Sequence, residues 1–233
     1  GMLYSRKMMV DIIEMDLPIA NEALFTHNMQ GFLELLSWVA IGARSSEDQE
    51  HRIFASSVEC AVGMKNPTHG VLKIAVNSIV SAQQPHIFAI DGYEIETSGN
   101  QYAHLVLRGI NGSPNYNIED LTTIKSYMDL HFIRNQSVII DVSHDNCILN
   151  GKKDFRKQPD IIFNILDELQ TNSSCKELVK GFMIESFLLG GNQEITHNIN
   201  KEGLSITDPC IGWEDTENML LKLANLRRFP LLG

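Results

Sequence analysis

Three basic residues, Arg44, Lys65 and Arg108, stand at or just past the ends of the short apolar runs SWVAIGA, CAVGMK and HLVL. If those runs are buried parallel strands, their ends deliver two guanidinium groups and an ammonium to one rim of a sheet, where α/β folds bind ligands. Fixed cations of this kind clamp a phosphate or a carboxylate. An Arg and a Lys that merely flank a surface helix would show the same spacing. A second set comprises His144 in DVSHDN, Glu185 in GFMIESFL and Asp208 in SITDPCIGW. One imidazole and two carboxylates can hold a divalent metal. No local motif such as HExxH ties them together, and a hydrogen-bonded histidine with two solvated acids fits the same residues.

These residues need a scaffold, and the chain alternates short apolar runs with longer amphipathic ones. Residues 4–15 are spaced as a helix that the Asp16-Leu17-Pro18 segment ends. The strand-like LPIANEAL comes next, then a helix over 29–36, a strand over 38–43, a helix over 47–57, a strand over 61–65 and a helix over 71–82. Residues 85–97 differ: two runs of period two about Asp91-Gly92 predict an inserted hairpin. The alternation resumes with strands over 104–109, 137–143 and 179–186, helices over 118–131 and 153–169, and a closing helix over 213–226. Thr97-Ser98-Gly99-Asn100 has too few glycines for a phosphate loop and reads as a turn. Six buried strands, each joined to the next through a helix, predict a parallel sheet. Polar residues at strand ends (Glu22, Arg44, Lys65, Asn66, Arg108, Asp141, His144, Glu185) would converge in a barrel and spread out along an open sheet, which favours a (β/α) barrel.

Composition sets limits on partners. The 233 residues, 43% hydrophobic, suit one α/β domain over residues 2–233. A formal charge of -10 argues against nucleic acid or a membrane surface as a general partner, so the basic residues would act locally on a small anion. Cys60, Cys147, Cys175 and Cys210 are scattered without CxxC spacing, which predicts a reducing, cytoplasmic setting. No apolar run is long enough to span a bilayer. Gly1 ahead of Met2 reads as an expression remnant, so the natural chain is expected to begin at Met2.

Six segments in this order, IGARSSEDQEHR, VGMKNPTHG, TSGNQYAHLVLRG, DVSHDN, GFMIESFLLGGNQ and SITDPCIGWEDTE, closely resemble the class I 3-deoxy-D-arabino-heptulosonate 7-phosphate (DAHP) synthases of the shikimate pathway. The resemblance runs from about residue 4 to residue 226. It implies a (β/α) barrel that condenses phosphoenolpyruvate with erythrose 4-phosphate, using a divalent metal such as Mn²⁺. It gives Arg44, Lys65 and Arg108, with Glu22 of LPIANE nearby, as the grip on phosphoenolpyruvate, and His144, Glu185 and Asp208 as three of four metal ligands.

The departures matter as much. The opening helix resembles the family's lead into its third strand, so the first two βα units are expected to be missing. With them go a GPCS-like motif holding the family's cysteine ligand and a KPRT-like motif that contacts both substrates; neither occurs in this sequence. Glu59 stands where the family has a serine near the sugar phosphate, and a carboxylate there would repel it. Pro67, His69 and a longer loop over 147–154 are smaller changes. The first and last strands would be left as open edges, inviting a homo-oligomer or a complementary chain. Three readings follow: a DAHP synthase acting alone or with a supplement, a degenerate paralogue that binds phosphoenolpyruvate or another small phosphate, and a structural partner of a full-length synthase.

Overall fold

The computed structural model describes residues 1–90, 92–149, 151–195 and 201–226. Its centre is a six-stranded parallel sheet of β1 (Ala20–Glu22), β2 (Trp38–Ile41), β3 (Ala61–Lys65), β4 (His104–Leu107), β5 (Val138–Asp141) and β6 (Val179–Met183). Each strand lies beside the next one in sequence. A doubly wound sheet would reverse at a switch point, and this one does not. The sheet is an incomplete (β/α) barrel with β1 and β6 as its edges, as the sequence predicts.

Helices α1 (Met2–Ile13), α2 (Gln49–Ser57), α3 (Leu72–Gln83), α4 (Ile118–Leu130), α5 (Gln158–Gln170) and α6 (Trp213–Ala224) connect or flank the strands. Capping fixes where two of them start. Asp48 accepts from the backbone N–H of His51 ahead of α2, and Asn117 accepts from that of Asp120 ahead of α4. One face of the sheet (Val39, Ile41, Val62, Met64, Leu105, Leu107, Val138, Ile140) is fully buried in a core shared with Val76 and Ile79 of α3, Leu121 and Ile124 of α4, and Ile162 and Ile165 of α5. Runs of this kind read as nearly continuous hydrophobicity because helices cover them.

The other face carries Trp38, Lys65, His104, Val106, Arg108, Ile139, Asp141 and Met183, and its cover thins toward the edges. His104, Val106 and Arg108 at the centre are buried, whereas Gly181 and Met183 on β6 are half-buried and Ala20 and Glu22 on β1 are exposed. Trp38 fills the middle. Its ring lies over Gly63, where a methyl group would collide with the ring and with Val106. Its Nε1–H donates to Nε2 of His104 (2.9 Å), and the other ring nitrogen of His104 meets the carbonyl of Tyr102 (2.8 Å). Trp38 thus fixes His104 as the Nδ1–H tautomer.

Some elements differ from expectation. Residues 29–36 do not form one helix: a turn over Thr26–Met29 and a 3-10 turn over Leu33–Leu35 are separated at Gly31, whose lack of a side chain weakens a helix interior. Residues 153–157 lie outside α5. A small hairpin, Ile148–Leu149 with Lys152–Lys153, and a 3-10 turn over Phe155–Lys157 precede it, and α5 starts at Gln158 with Pro159 in its first turn, where its missing N–H costs nothing. The short helix Ser173–Leu178 and the pairing of Leu189–Asn192 with Leu204–Ser205 carried no clear periodicity. The inserted hairpin is present as Ile87–Ile90 and Tyr93–Glu96, its turn residue Asp91 lying outside the described residues. All four cysteines are free, and among the described residues no helix is long and apolar enough to cross a membrane.

Candidate metal and anion site

Asp141 ends β5, is wholly buried, and lies between the two sets of residues that the sequence singles out. Its Oδ2 is 3.2 Å from Nζ of Lys65, at the end of β3, and 2.9 Å from Nδ1 of His144. Its Oδ1 accepts the backbone N–H of Ser143 (3.0 Å). Burial by itself would push this carboxyl up, but His144, Lys65 and the Ser143 N–H together hold it below the usual carboxylate range. Both close contacts to Oδ2 are off the hydrogen-bond line, so Oδ2 and His144 Nδ1 are each buried without an aligned partner. At a functional site such orphans mark capacity held for a ligand or an ion.

His144 has φ of +53°, a left-handed backbone that costs a non-glycine residue free energy. This conformation, just past β5, puts Nε2 at 3.4 Å from Oε1 of Glu185. Glu185, two residues past β6, is held on both sides: Oε2 accepts from Ser143 Oγ (2.7 Å), and its backbone is bound by the side chain of Gln158. Asp208 comes from the long segment after β6 and pairs with Lys153 (3.4 Å). One donor atom each from His144, Glu185 and Asp208 lies within 4.8 Å of the others. The predicted trio therefore converges. An imidazole with two carboxylates, and an Nε2 aimed at an oxygen of Glu185, suits a divalent cation.

The basic residues are arranged less evenly. Lys65 and Arg108 sit on one face of neighbouring strands and are nearly buried, Arg108 Nη1 lying 3.9 Å from Oδ2 of Asp145. Arg44, in the loop after β2, is exposed and makes no hydrogen bond or ion pair with the described residues. Glu22 ends β1 with its carboxylate over Gly42.

Three buried asparagines hold the loops of β3, β4 and β5 together. Asn66 Oδ1 accepts from the backbone N–H of Arg108 (2.9 Å) and from Asn115 Nδ2 (3.1 Å), while its Nδ2 donates to the carbonyl of Gly109 (2.9 Å). Asn115 Oδ1 accepts from Gly109 N–H (2.8 Å), and Asn146 Oδ1 accepts from Asn115 N–H (3.0 Å). Asn146 Nδ2 donates to the carbonyls of Leu107 and Asp141. Gly109, at φ of +81°, packs against Asp145, where a side chain would collide with the backbone of the β5 loop. Sequence reasoning missed Asn115, Asn146, Ser143 and Gln158, because buried asparagines and turn asparagines look alike in a sequence.

Glu59 requires a correction. It precedes the N-terminal end of β3, whereas Lys65 ends that strand. The five residues of β3 span about 13 Å, so Glu59, which precedes the strand, is at the opposite end of the sheet and cannot repel a phosphate at this rim.

The chain is similar to known proteins in sequence and in fold. The DAHP synthetase I family matches residues 5–221. The chain belongs to that family. The Trp-sensitive phospho-2-dehydro-3-deoxyheptonate aldolase of Escherichia coli (strain K12) is 37% identical over 231 residues, 97% of this chain and 64% of that one. The corresponding Trp-sensitive enzyme of Buchnera aphidicola subsp. Baizongia pistaciae is 38% identical, with the same coverage. The structure of the phospho-2-dehydro-3-deoxyheptonate aldolase from Francisella tularensis SCHU S4 superposes with a TM-score of 0.85 at 36% identity, over 96% of this chain and 64% of that chain. This DAHP synthetase I chain thus spans a little under two thirds of the length of these relatives.

Proposed function

We propose that this chain builds the phosphoenolpyruvate- and metal-binding part of a DAHP synthase site, for a reaction that joins phosphoenolpyruvate to erythrose 4-phosphate. The observation that carries this is the meeting of His144, Glu185 and Asp208 within 4.8 Å on the rim where Lys65 and Arg108 also end. Lys65 and Arg108 take the phosphate and carboxylate of phosphoenolpyruvate, with Arg44 and Glu22 closing the same rim. Holding the substrate by two fixed cations removes its rotational freedom before the chemistry. In the family reaction C3 of phosphoenolpyruvate attacks the aldehyde carbon, water adds at C2 and phosphate leaves. A divalent cation such as Mn²⁺ on His144, Glu185 and Asp208 supplies Lewis-acid polarisation of the aldehyde oxygen.

The sugar half of the site is a different matter. The GPCS-like and KPRT-like motifs of the family do not occur in this sequence, so on this reading the fourth metal ligand and the contacts that the KPRT-like motif makes to the substrates come from outside these six strands. Three observations support a complement: the free edges of β1 and β6 among the described residues, the open cover beside them, and α1, where Leu3, Tyr4 and Met8 stand exposed. Exposed strand edges and a helix apolar on several sides call for a partner. That partner is a polypeptide segment with two βα units that carry those motifs or, as cover for the edges alone, a second copy of this chain, in the cytoplasm.

An assay with phosphoenolpyruvate, erythrose 4-phosphate and Mn²⁺ tests this. Little or no turnover is expected from the chain alone, phosphoenolpyruvate should still bind by calorimetry, and activity should appear on adding a chain with the missing units. Failure of that mixture would favour the paralogue that binds a small phosphate without turnover, a reading favoured by the absent KPRT-like motif. Robust turnover by the chain alone, abolished by Lys65→Ala, would show that no complement is needed.

A further inference from the structure

Among the described residues, Asp141 is the one buried carboxylate that touches both halves of this site. Its Oδ2 is shared between Lys65 (3.2 Å) and His144 Nδ1 (2.9 Å), and it is aligned with neither. We propose that Asp141 is a positioning residue that couples the two halves, so that a cation on His144, Glu185 and Asp208 and an anion on Lys65 each favour binding of the other. This rests on the reading of the site given above.

The physical basis is competition for one oxygen. A carboxylate beside Nδ1 keeps the proton there and leaves the Nε2 lone pair facing Glu185 Oε1 at 3.4 Å, the orientation a cation ligand needs. When Nε2 gives that pair to a cation, the Nδ1–H becomes a stronger donor and draws Oδ2 toward it. Lys65 then loses part of its internal counter-ion, and its ammonium turns to an incoming anion. The converse also holds: an anion on Lys65 releases Oδ2 to His144 and makes Nε2 a better ligand. Coupling between binding sites is reciprocal by thermodynamic necessity. Ser143 links the same groups, because its N–H holds Asp141 Oδ1 and its hydroxyl holds Glu185 Oε2. A bound cation and anion also attract each other directly, and that attraction survives without Asp141. The difference between wild type and an Asp141 variant therefore isolates the part carried by Asp141.

The experiment is calorimetry of the full chain with Mn²⁺ and inorganic phosphate, each alone and in the presence of the other, together with ¹⁵N NMR of the histidine side chains. In Asp141→Asn, Mn²⁺ affinity should fall by about 10- to 100-fold. Phosphate without Mn²⁺ should bind at least as well as to wild type, and the gain in phosphate affinity that Mn²⁺ brings should shrink by about 5-fold or more. The His144 resonances should report loss of the pure Nδ1–H tautomer. If Asp141→Asn does not fold, wild type still decides: inorganic phosphate without metal should draw Oδ2 of Asp141 toward the Nδ1–H of His144 and move its resonance. Coupling and tautomer unchanged in Asp141→Asn, or a His144 resonance that phosphate leaves in place, would overturn this inference alone. A wild type that binds neither Mn²⁺ nor phosphate would overturn the reading of the site as well.

Discussion

Gln158 holds Glu185 as a neighbouring strand would: its side-chain carbonyl accepts the backbone N–H of Glu185 at 2.8 Å, and its amide donates to the backbone carbonyl at 3.1 Å. Gln158 is the first residue of α5 and is wholly buried, so the helix sets the height at which the Glu185 carboxylate meets His144. Gln158→Leu leaves the backbone N–H of Glu185 without its partner, at about 1–3 kcal/mol, while the carbonyl of Glu185 still accepts from the Ile211 N–H (3.0 Å). A urea midpoint lowered accordingly, with weaker Mn²⁺ binding at pH 7, is expected. Unchanged Mn²⁺ binding would detach Gln158 from the site.

His104 predicts an acid-sensitive core. Burial pushes its pKa below the ordinary histidine value, while the carbonyl of Tyr102 works against that shift. Trp38 donates to Nε2 of the neutral ring, so protonation would set two donors against each other. The unfolded chain binds the proton more readily, and stability therefore rises with pH between the folded value and about 6.5. This contribution is complete above pH 6.5 and is lost as pH falls below it. Urea midpoints at pH 7.5 and 5.5 should differ more for wild type than for His104→Gln.

Gly63 is needed for space. Gly63→Ala drives a methyl group into the Trp38 ring and Val106, and overpacking of a closed core costs about 1–3 kcal/mol. Denaturation followed by Trp38 fluorescence should show an earlier transition. A stability equal to wild type would mean that Trp38 moves aside freely.

Asn66 is expected to matter through Arg108. Its Oδ1 takes the Arg108 backbone N–H, so Asn66→Ala leaves that donor and the Gly109 carbonyl short of partners. Phosphate affinity should fall along with stability, the latter by about 1–3 kcal/mol for each buried group left unpaired. Loss of stability with phosphate affinity intact would make the asparagine network scaffolding only.

The sequence by itself determined the strand and helix order, because buried parallel strands must be continuous apolar runs and the helices between them must carry a 3.6-residue stripe. Strand β3 falls on Ala61–Lys65, as predicted, and α2 and α4 begin at their capping Asp48 and Asn117. His144, Glu185 and Asp208 were legible as possible donors from residue type, and as a set through the family resemblance of the segments that hold them. Only the tertiary structure decided how they meet. Asp141 read as one more polar strand end, and it becomes a link because β3 and β5, separated by the whole of β4, bring Lys65 and His144 to the same oxygen. Glu59 and Lys65 are six positions apart in sequence yet lie at opposite ends of the sheet. Gln158 and Ser143 gave no signal because a hydrogen bond to a distant backbone or carboxylate leaves no periodicity, and its partner is fixed only when separate strands close on one another.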